Sequence, residues 1–471
     1  MIRFRVLPLA IALLQLTSGS VLAQNTEDQN AFDFSLPGAR SRAIGGAFVA
    51  IADDATSVYS NPAGLTLLFR PEVSIEGRRW NLTNRIPSRG HAFGAATQVG
   101  ADTINGLIDD SFHSSTTGLS FLSFVYPGDG WAVGVFRHQL SRYRMDRQIQ
   151  GPFFDCRGGF RVGNTEAAQP FCEPHARADG VDREFPKRQS LSLDIHSTGA
   201  AFAYDVPAHV SVGGALQYFD FSISSTNTVF NARDDQKYQP ANFADPQNVE
   251  LVSRQFGSDH AFAINAGALW NVSTQWVLGA SFRQGPRFAF ATETKRGAAS
   301  GGPGEIVVAQ ADNPFRVPDT FSVGLLYKPN ELWRLSVEYD RVQNHQLIED
   351  FRNTALFAGN PEDVVVSARM RLNNSNQIRI GGEYLALLPG GRGLAFRGGV
   401  WYDPNHQTYF DADPSTGLPA PRWAVLFPRR DGNAHVSGGI GFTTRRHFQL
   451  DAAVDVSDLV DIFSLSSVWR F

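Results

Sequence analysis

Long stretches of this chain alternate between apolar and polar residues with a period of two. In one of them, Trp276, Leu278 and Phe282 alternate with small or polar residues. Side chains on a β-strand point alternately to opposite faces, so this pattern predicts a strand with one apolar face. The same alternation recurs at residues 321–328, 333–340, 377–384 and 448–456.

Three features favour strands that cross a membrane over a soluble β-sandwich, which would alternate in the same way. The runs are about ten residues long, the length that a tilted strand needs to cross a bilayer. Short and long connections alternate along the chain. Aromatic residues also stand at the ends of the apolar faces, where interfacial girdles form. These aromatic residues are Trp276, Tyr327, Trp333 and Trp469.

Turns and loops divide the chain into a countable set of strands. The six short connections fall at residues 127–130, 205–209, 271–275, 328–331, 389–392 and 443–447. The seven outer connections fall near residues 83–115, 148–188, 230–258, 294–317, 350–374, 404–432 and 457–461. Thirteen connections predict an all-β fold, a 14-stranded antiparallel transmembrane β-barrel. Where the alternation slips, around Gly199 and Tyr218, we expect a β-bulge.

The first residues are typical of a signal peptide. Arg3 and Arg5 give a positive start, residues 6–16 are apolar, and Ala23 is a small residue suited to cleavage. A buried first helix is the alternative. Export would place the mature chain in an oxidising space.

Residues 31–70 lack the period-two pattern. Gly45 and Gly46 predict a break between helical stretches. Asn61 suits a helix cap, and Pro62 suits the first position of a helix. An open lumen of a 14-stranded barrel would leak solutes, so we expect these short helices to plug it as an N-terminal helical hatch. The predicted organisation is a signal peptide, a hatch and a barrel, at residues 1–23, 24–70 and 71–471.

Composition excludes several classes of function. The chain has 42 Lys and Arg against 46 Asp and Glu, a net charge of −4, so no nucleic acid is expected as a partner. Beyond residue 22, no run of about 18 apolar residues could cross a bilayer as a helix. Common hydrolase, P-loop and dinucleotide-binding motifs are absent, so we expect neither an enzyme nor a cofactor. The adjacent Asp53 and Asp54 are interpreted as capping or solvated carboxylates.

The two cysteines, Cys156 and Cys172, lie in a segment rich in glycine and charge. In an exported chain, a disulfide between them is the expected state. Two cysteines without histidines at ligand spacing do not build a zinc site, so no metal site is expected.

The chain ends with an apolar strand face that includes Leu465, Trp469 and Phe471. This ending resembles the closing strand of bacterial outer-membrane proteins. It predicts a bacterial outer-membrane location among lipid and lipopolysaccharide, with insertion by the outer-membrane assembly machinery through Phe471. An ordinary hydrophobic C-terminus is the alternative.

Residues 38–65, GARSRAIGGAFVAIADDATSVYSNPAGL, resemble the N-terminal hatch of the FadL/OmpP1/TodX family. The similar pieces are the Gly45-Gly46 turn, the AIADDA stretch at residues 50–55 and the Asn61-Pro62-Ala63 triplet. Residues 317–329 and 376–404 look similar to the same family. Its members are outer-membrane transporters for long-chain fatty acids and other hydrophobic compounds.

The resemblance implies passive outer-membrane uptake of a hydrophobic small molecule, such as a long-chain fatty acid, a hydrocarbon or an aromatic. The ligand would land on aromatic residues of the outer loops, including Phe153, Phe154 and Phe230, for which ordinary loop packing is the alternative. It would enter the lumen and leave sideways into the membrane through a wall gap at a kinked third strand. The hatch and gating residues implied are Gly45, Gly46, Asn61, Pro62 and Ala63.

Charged residues on the polar faces of the strands have two interpretations. One arginine could bind a ligand carboxylate, as basic lumenal residues do in fatty-acid members of the family. The candidates for this role are Arg283, Arg379 and Arg397. The alternative is an internal ladder of ion pairs between neighbouring strands.

Other functions remain compatible with a barrel. The main alternative is a structural or secretion-accessory barrel that binds exported proteins. An outer-membrane hydrolase is weakened by the missing motifs, and a general polar porin is disfavoured by the hatch.

We expect Cys156 and Cys172 to be joined in the exported protein. Peptide mapping without reductant should recover the two cysteine-containing peptides as one cross-linked species that separates on reduction. Free thiols at both positions in the folded protein would contradict this prediction.

Overall fold

The computed structural model describes residues 36–92, 94–155, 160–162, 165–167, 181–230, 248–296, 306–349, 370–411, 421–444 and 447–471. The predicted signal peptide and the predicted Cys156–Cys172 disulfide lie outside these residues. In the part of the chain that is described, no helix is long and apolar enough to cross a membrane.

Strands make up most of the described chain. They are β1 Glu72–His91, β2 Gly106–Pro127, β3 Trp131–Ile149, β4 Phe153–Asp155, β5 Phe160–Val162, β6 Thr165–Ala167, β7 Val181–Arg183, β8 Lys187–Val206, β9 Val210–Phe230, β10 Val249–Asn271, β11 Trp276–Arg283, β12 Arg287–Arg296, β13 Ile306–Arg316, β14 Thr320–Tyr327, β15 Trp333–Val342, β16 Met370–Arg371, β17 Ser375–Leu388, β18 Arg392–Asp403, β19 Tyr409–Phe410, β20 Asn433–Thr444, β21 Phe448–Val456 and β22 Val460–Arg470. The helices are α1 Ala39–Ala43, α2 Ser57–Ser60, a 3₁₀ helix Pro62–Leu67, α3 Gln346–Glu349 and α4 Pro421–Leu426.

The long strands close into one antiparallel barrel. Each pairs with the next along the chain, and β1 pairs with β22 from Glu72 opposite Arg470 to Leu82 opposite Val460. Strands β11 and β12 form one interrupted crossing, and β13 and β14 form the next. The barrel therefore has 14 crossings, and the predicted 14-stranded antiparallel β-barrel is confirmed.

The outward faces carry the apolar residues that the alternation predicts. Val323 and Val337 are 55% and 47% exposed, whereas the intervening Ser322 and Ser336 are 1% and 2% exposed. A surface of exposed aliphatic side chains around the whole cylinder is what a barrel presents to lipid. The strand faces were predictable because lipid outside and polar groups inside impose a period of two.

Aromatic side chains meet across neighbouring strands at the end of the barrel with the short turns. The rings of Trp276 and Tyr327 stack at 4.3 Å, and those of Trp333 and Tyr384 lie 4.6 Å apart. These pairs form part of the girdle that the sequence predicts at a membrane interface.

Several strands continue well beyond their apolar runs. Strand β1 reaches His91 and β2 begins at Gly106, so the first long connection is residues 92–105 and the expected bounds 83–115 are wrong. Outward side chains of this extension are polar, as at the exposed Thr117. A strand that leaves the lipid keeps its backbone pairing but loses its apolar outer face, and hydrophobic alternation therefore underestimates its length.

The β-bulge expected around Gly199 and Tyr218 is absent, because β8 and β9 pair in one register along their whole length. The apolar residues change sides instead. On β9, Leu216 faces outward and is 57% exposed, whereas Phe219 and Phe221 face inward and are each 2% exposed. The slip in the pattern therefore marks the level at which the apolar face of β9 changes sides. Next to the short turns the apolar residues face lipid, and farther along the strand they face the interior of the barrel, which we call the bore.

Residues 36–70, which we call the inner segment, pack against the inward faces of the barrel. Helix α1 contacts β18, β20, β21 and β22, and the 3₁₀ helix contacts β2, β3, β8, β9 and β10. Most of its residues are buried. The inner segment thus spans the bore from one wall to the other.

A charge on the outward face should destabilise the barrel. Val337→Arg places a guanidinium near the middle of β15, where burial in hydrocarbon costs about 2–4 kcal/mol. Urea unfolding in phospholipid vesicles measures this loss. Glu331→Arg, in the exposed turn before β15, is the control and should change stability by less than about 0.5 kcal/mol. Equal stability of the two variants would contradict a lipid-facing Val337.

Candidate functional site

A ring of glycines on the inner wall accommodates the inner segment. A Cβ on Gly213 would lie 2.5 Å from the Pro62 carbonyl carbon, and one on Gly279 would lie 2.6 Å from the Ala50 Cα. Any larger residue would collide with the segment at these points. The glycines that contact it in this way are Gly213, Gly267, Gly279, Gly324, Gly381, Gly399 and Gly439. Hydrophobic alternation does not single out these glycines, although each is an inward position within its strand.

Ion pairs hold one side of the inner segment to the wall. Arg40 Nη1 lies 2.6 Å from Asp53 and its Nε lies 3.0 Å from Glu383, while Arg334 Nη1 lies 2.7 Å from the other Asp53 oxygen. Arg397 Nε contacts Glu383 at 2.6 Å. Burial alone would raise the pKa of Asp53, but the charges of Arg40 and Arg334 outweigh it and hold that pKa below its usual value. Because Asp53 and Glu383 each contact more than one arginine, a connected set of ion pairs joins this side of the inner segment to the wall.

Hydrogen bonds from the segment backbone extend this anchored side. Val49 N donates to Glu338 Oε2 at 2.7 Å, and Arg379 Nη1 donates to the Gly45 carbonyl at 3.1 Å. Asp54 Oδ1 accepts from Thr56 N at 2.9 Å. Asp54 therefore closes a turn just before α2, whose N-cap residue is Thr56, and the acidic pair is neither a helix cap nor solvated, since both carboxylates contact Arg40.

The opposite side of the inner segment is held by neutral contacts. Asn61 Oδ1 accepts from Ala63 N at 3.2 Å, and its Nδ2 donates to the Val49 and Ala268 carbonyls at 2.8 Å and 3.2 Å. Asn61 therefore caps the 3₁₀ helix, with Pro62 at its first position, as the sequence predicts. The 3₁₀ helix itself contains no charged residue.

Gly45 and Gly46 form the turn that follows α1. Their φ angles are +68° and +77°, in the left-handed region that glycine adopts without strain. Gly46 N donates to the Ser41 carbonyl at 2.9 Å, which closes the helix end. The predicted glycine turn is therefore present.

The wall of the barrel opens between β2 and β3. Their ladder runs from Pro127 opposite Ala132 to Phe121 opposite His138 and then ends, although both strands continue outward. The register of β3 against β8 shifts at Leu140, where β3 bulges. We call this break between the described parts of β2 and β3 the gap. That it is the wall opening which the family resemblance implies at a kinked third strand stays a prediction.

Polar side chains border this gap. Asn84 Nδ2 donates to Tyr143 Oη at 2.9 Å, and Arg142 Nε contacts Asp194 at 2.9 Å. A Cβ on Gly118 of β2 would lie 2.8 Å from Arg142 Nη1. The side chain of Arg142 therefore narrows the gap at the level of Gly118. A side chain at position 118 would narrow it further.

The bore behind the gap is apolar. Phe221 stacks on Phe288 with ring centroids 4.7 Å apart and on Phe315 at 5.3 Å. Leu140 and Ile195 join the same buried cluster, which also includes Tyr59 and Leu65 of the inner segment. Such a lining excludes water and favours hydrocarbon or aromatic groups.

A polar cavity lies on the other side of the bore. It measures about 970 Å³ with the solvent at its mouth, and Arg42, Gly45 and Gly46 of the inner segment line it. Wall residues around it include Arg283, Asp340, Arg379, Trp401, Asp403 and His435. The bore therefore has an apolar side next to the gap and a charged side next to the anchored part of the inner segment.

The three arginines proposed for ligand binding differ in their contacts. Arg379 Nε lies 2.7 Å from Asp340, and Arg397 Nη1 lies 2.7 Å from Asp451, so both belong to an internal ladder of ion pairs. Arg283 makes no ion pair with the described residues, and its Nη1 is buried without a hydrogen bond.

Three of the aromatic residues proposed as a landing surface are buried in the described structure. Phe153, Phe154 and Phe230 are each 2–3% exposed. They pack within the loops, as the alternative interpretation predicts. In the ranges that the structure covers, no group of three His, Cys, Asp or Glu side chains could hold a metal.

Comparison with solved structures identifies the fold. The CymD monoaromatic hydrocarbon channel matches with a TM-score of 0.55 and 14% identity, over 94% of this chain and 99% of that one. A Pseudomonas aeruginosa FadL homologue matches with a TM-score of 0.58 and 12% identity, over 93% and 99%. The Ralstonia pickettii toluene transporter TbuX matches with a TM-score of 0.52 and 16% identity, over 93% and 100%.

Comparison of sequences identifies the family. No curated protein matches this sequence. The family model described as "Outer membrane protein transport protein (OMPP1/FadL/TodX)" matches residues 187–456, more than half of the chain. The protein therefore belongs to the OMPP1/FadL/TodX family, and it is a multi-pass β-barrel of the bacterial outer membrane rather than an enzyme.

Proposed function

We propose that this protein takes up hydrophobic small molecules through the outer membrane by passive transport and releases them sideways into the membrane. The observation that carries the proposal is the apolar bore that leads to the gap between β2 and β3. A greasy molecule on this route stays in an apolar medium, whereas an aqueous channel would not solvate it. CymD and TbuX, named as a hydrocarbon channel and a toluene transporter, support the same class of ligand.

In this proposal, residues 24–70 form a hatch that moves on its neutral side. The ion pairs of Arg40 hold the other side to the wall, so the part free to shift is the 3₁₀ helix, which contacts β2 and β3 among other strands. Gly45-Gly46 and Asn61-Pro62-Ala63 are the proposed gating residues, since each interrupts the helices of the segment. The signal peptide at residues 1–23 and insertion through Phe471 complete the proposed organisation, with lipid and lipopolysaccharide around residues 71–471.

The arginines suggest which ligands the bore accepts. Arg379 and Arg397 already neutralise carboxylates of the wall, so we assign them to anchoring. We assign Arg283, which lacks such a partner among the described residues, to any contact with a ligand carboxylate. It lies on the polar side of the bore, so neutral hydrocarbons and aromatics can pass along the apolar side without it.

Filling the gap should block uptake. Gly118→Phe places a ring against Arg142, so cells that express it should take up radiolabelled toluene no faster than cells without the protein. Gly398→Phe is the matched control, because a Cβ there has its nearest contact at 3.9 Å. Undiminished uptake by folded Gly118→Phe protein would contradict lateral release. Liposome swelling in sucrose by the wild-type protein would favour a polar porin instead.

Replacing Arg283 should lower the uptake of a ligand that carries a carboxylate and leave the uptake of a neutral ligand unchanged. Arg283→Ala should leave toluene uptake unchanged and lower uptake of a fatty acid such as laurate by about 10-fold, the effect of losing one charge-assisted hydrogen bond. Competition between the two labelled compounds in the same cells measures the difference. An equal loss for both ligands would remove Arg283 from carboxylate recognition.

A further inference from the structure

His138 of β3 is a buried histidine with no polar partner. It is 0% exposed, and both ring nitrogens lack a hydrogen bond or ion pair with the described residues. Its side chain faces inward at the last rung of the β2–β3 ladder, opposite Phe121. A buried imidazole without partners costs stability, since its donor and its acceptor have both lost water.

A second unpaired polar group lies beside it. Ser197 of β8 is the register partner of His138, faces inward on the neighbouring strand and is also 0% exposed. Its Oγ likewise has no hydrogen bond with the described residues. A neutral imidazole and a hydroxyl together supply donors and acceptors at one point of the inner wall.

Aromatic rings surround this pair. The ring of Tyr59 lies 4.3 Å from that of His138, and Phe121 meets His138 edge-on at 5.9 Å. Phe136 lies 5.9 Å from Tyr59 and completes the aromatic surroundings. The immediate neighbours of the imidazole are therefore aromatic rings, against which another aromatic ring can pack.

Tyr59 is the part of this enclosure that belongs to the inner segment. It lies on α2, two residues before Asn61, on the side of the segment that no ion pair anchors. A shift of that side uncovers His138 at the point where the wall begins to open. A ligand that travels from the bore to the gap then passes the imidazole.

We propose that His138 and Ser197 form a hydrogen-bonding subsite for the hydroxyl group of an aromatic ligand at the exit of the bore. A hydroxyl both donates and accepts, so it can satisfy the imidazole and the serine at once. The protein would therefore favour hydroxylated aromatics over the parent hydrocarbons. This inference rests on the proposed uptake function and deepens it by naming a ligand class.

The test compares 1-naphthol with naphthalene, which differ by one hydroxyl. Cells expressing the full chain receive both labelled compounds, and uptake by cells without the protein is subtracted. His138→Phe keeps the ring packing but removes both polar atoms, and it should lower the ratio of naphthol to naphthalene uptake about three- to tenfold. Ser197→Ala should lower it in the same direction.

His196→Phe is the matched control, because His196 precedes Ser197 on β8 and faces outward. The ratio of naphthol to naphthalene uptake in this variant should equal that of the wild type. If His138→Phe takes up naphthalene normally with an unchanged ratio, the subsite is refuted while the uptake function stands. If the wild type takes up neither compound above background, the uptake function itself fails.

His138→Gln is a second variant that keeps the test decisive if His138→Phe folds poorly. Glutamine retains a donor and an acceptor, so it should recover the wild-type preference for naphthol if His138→Phe loses uptake of both compounds. Recovery of both uptakes without that preference would show that the residue only supports the fold, and would overturn the proposal.

Discussion

The closed ladder of backbone hydrogen bonds is the constraint on which the rest of this structure depends. In hydrocarbon, each unpaired N–H or C=O costs several kcal/mol, so a sheet can cross a bilayer only if its first and last strands meet. Here β1 and β22 meet along eleven register pairs, from Glu72 to Leu82 on the β1 side. The β2–β3 ladder ends at Phe121, close to the level where the outward face of β2 becomes polar, and the polar side chains of Gln139 and Arg142 lie beside its end.

The inner segment is attached to the barrel by two different kinds of contact. Arg40 and its partners form a buried network of ion pairs between the inner segment and the wall. The 3₁₀ helix instead rests on glycines and neutral hydrogen bonds, as at Gly213. A segment attached so unequally yields first on the neutral side, which is the side that faces the apolar bore and the gap.

The architecture could be predicted from the sequence because lipid imposes a simple rule on every strand. Runs such as Trp276 to Phe282 revealed the strands, and the Asn61-Pro62 pair revealed a helix start. The strand ends were missed because β1 continues to His91 without an apolar outer face. The apolar character of the bore was not predictable, because inward apolar residues such as Phe219 look like a slip in the alternation.

The contacts of the candidate site were harder to predict for a related reason. An inward arginine looks the same in sequence whether a carboxylate neighbours it, as for Arg397, or not, as for Arg283. Those neighbours come from the register between strands far apart in the chain, which alternation does not encode. The glycines that contact the inner segment share an inward orientation and a similar height in the barrel. The height of a residue is known only once the register between neighbouring strands is known.

One carboxylate joins the seam of the barrel to the inner segment. Glu72 accepts from Arg470 Nε at 2.6 Å and from Ala55 N at 3.1 Å, so the first strand, the last strand and the segment share a single residue. Closing the cylinder and docking its contents each supply one of these two contacts of Glu72. A barrel that closed before residues 36–70 were inside would leave Glu72 half satisfied, which makes the order of assembly a property of the fold itself.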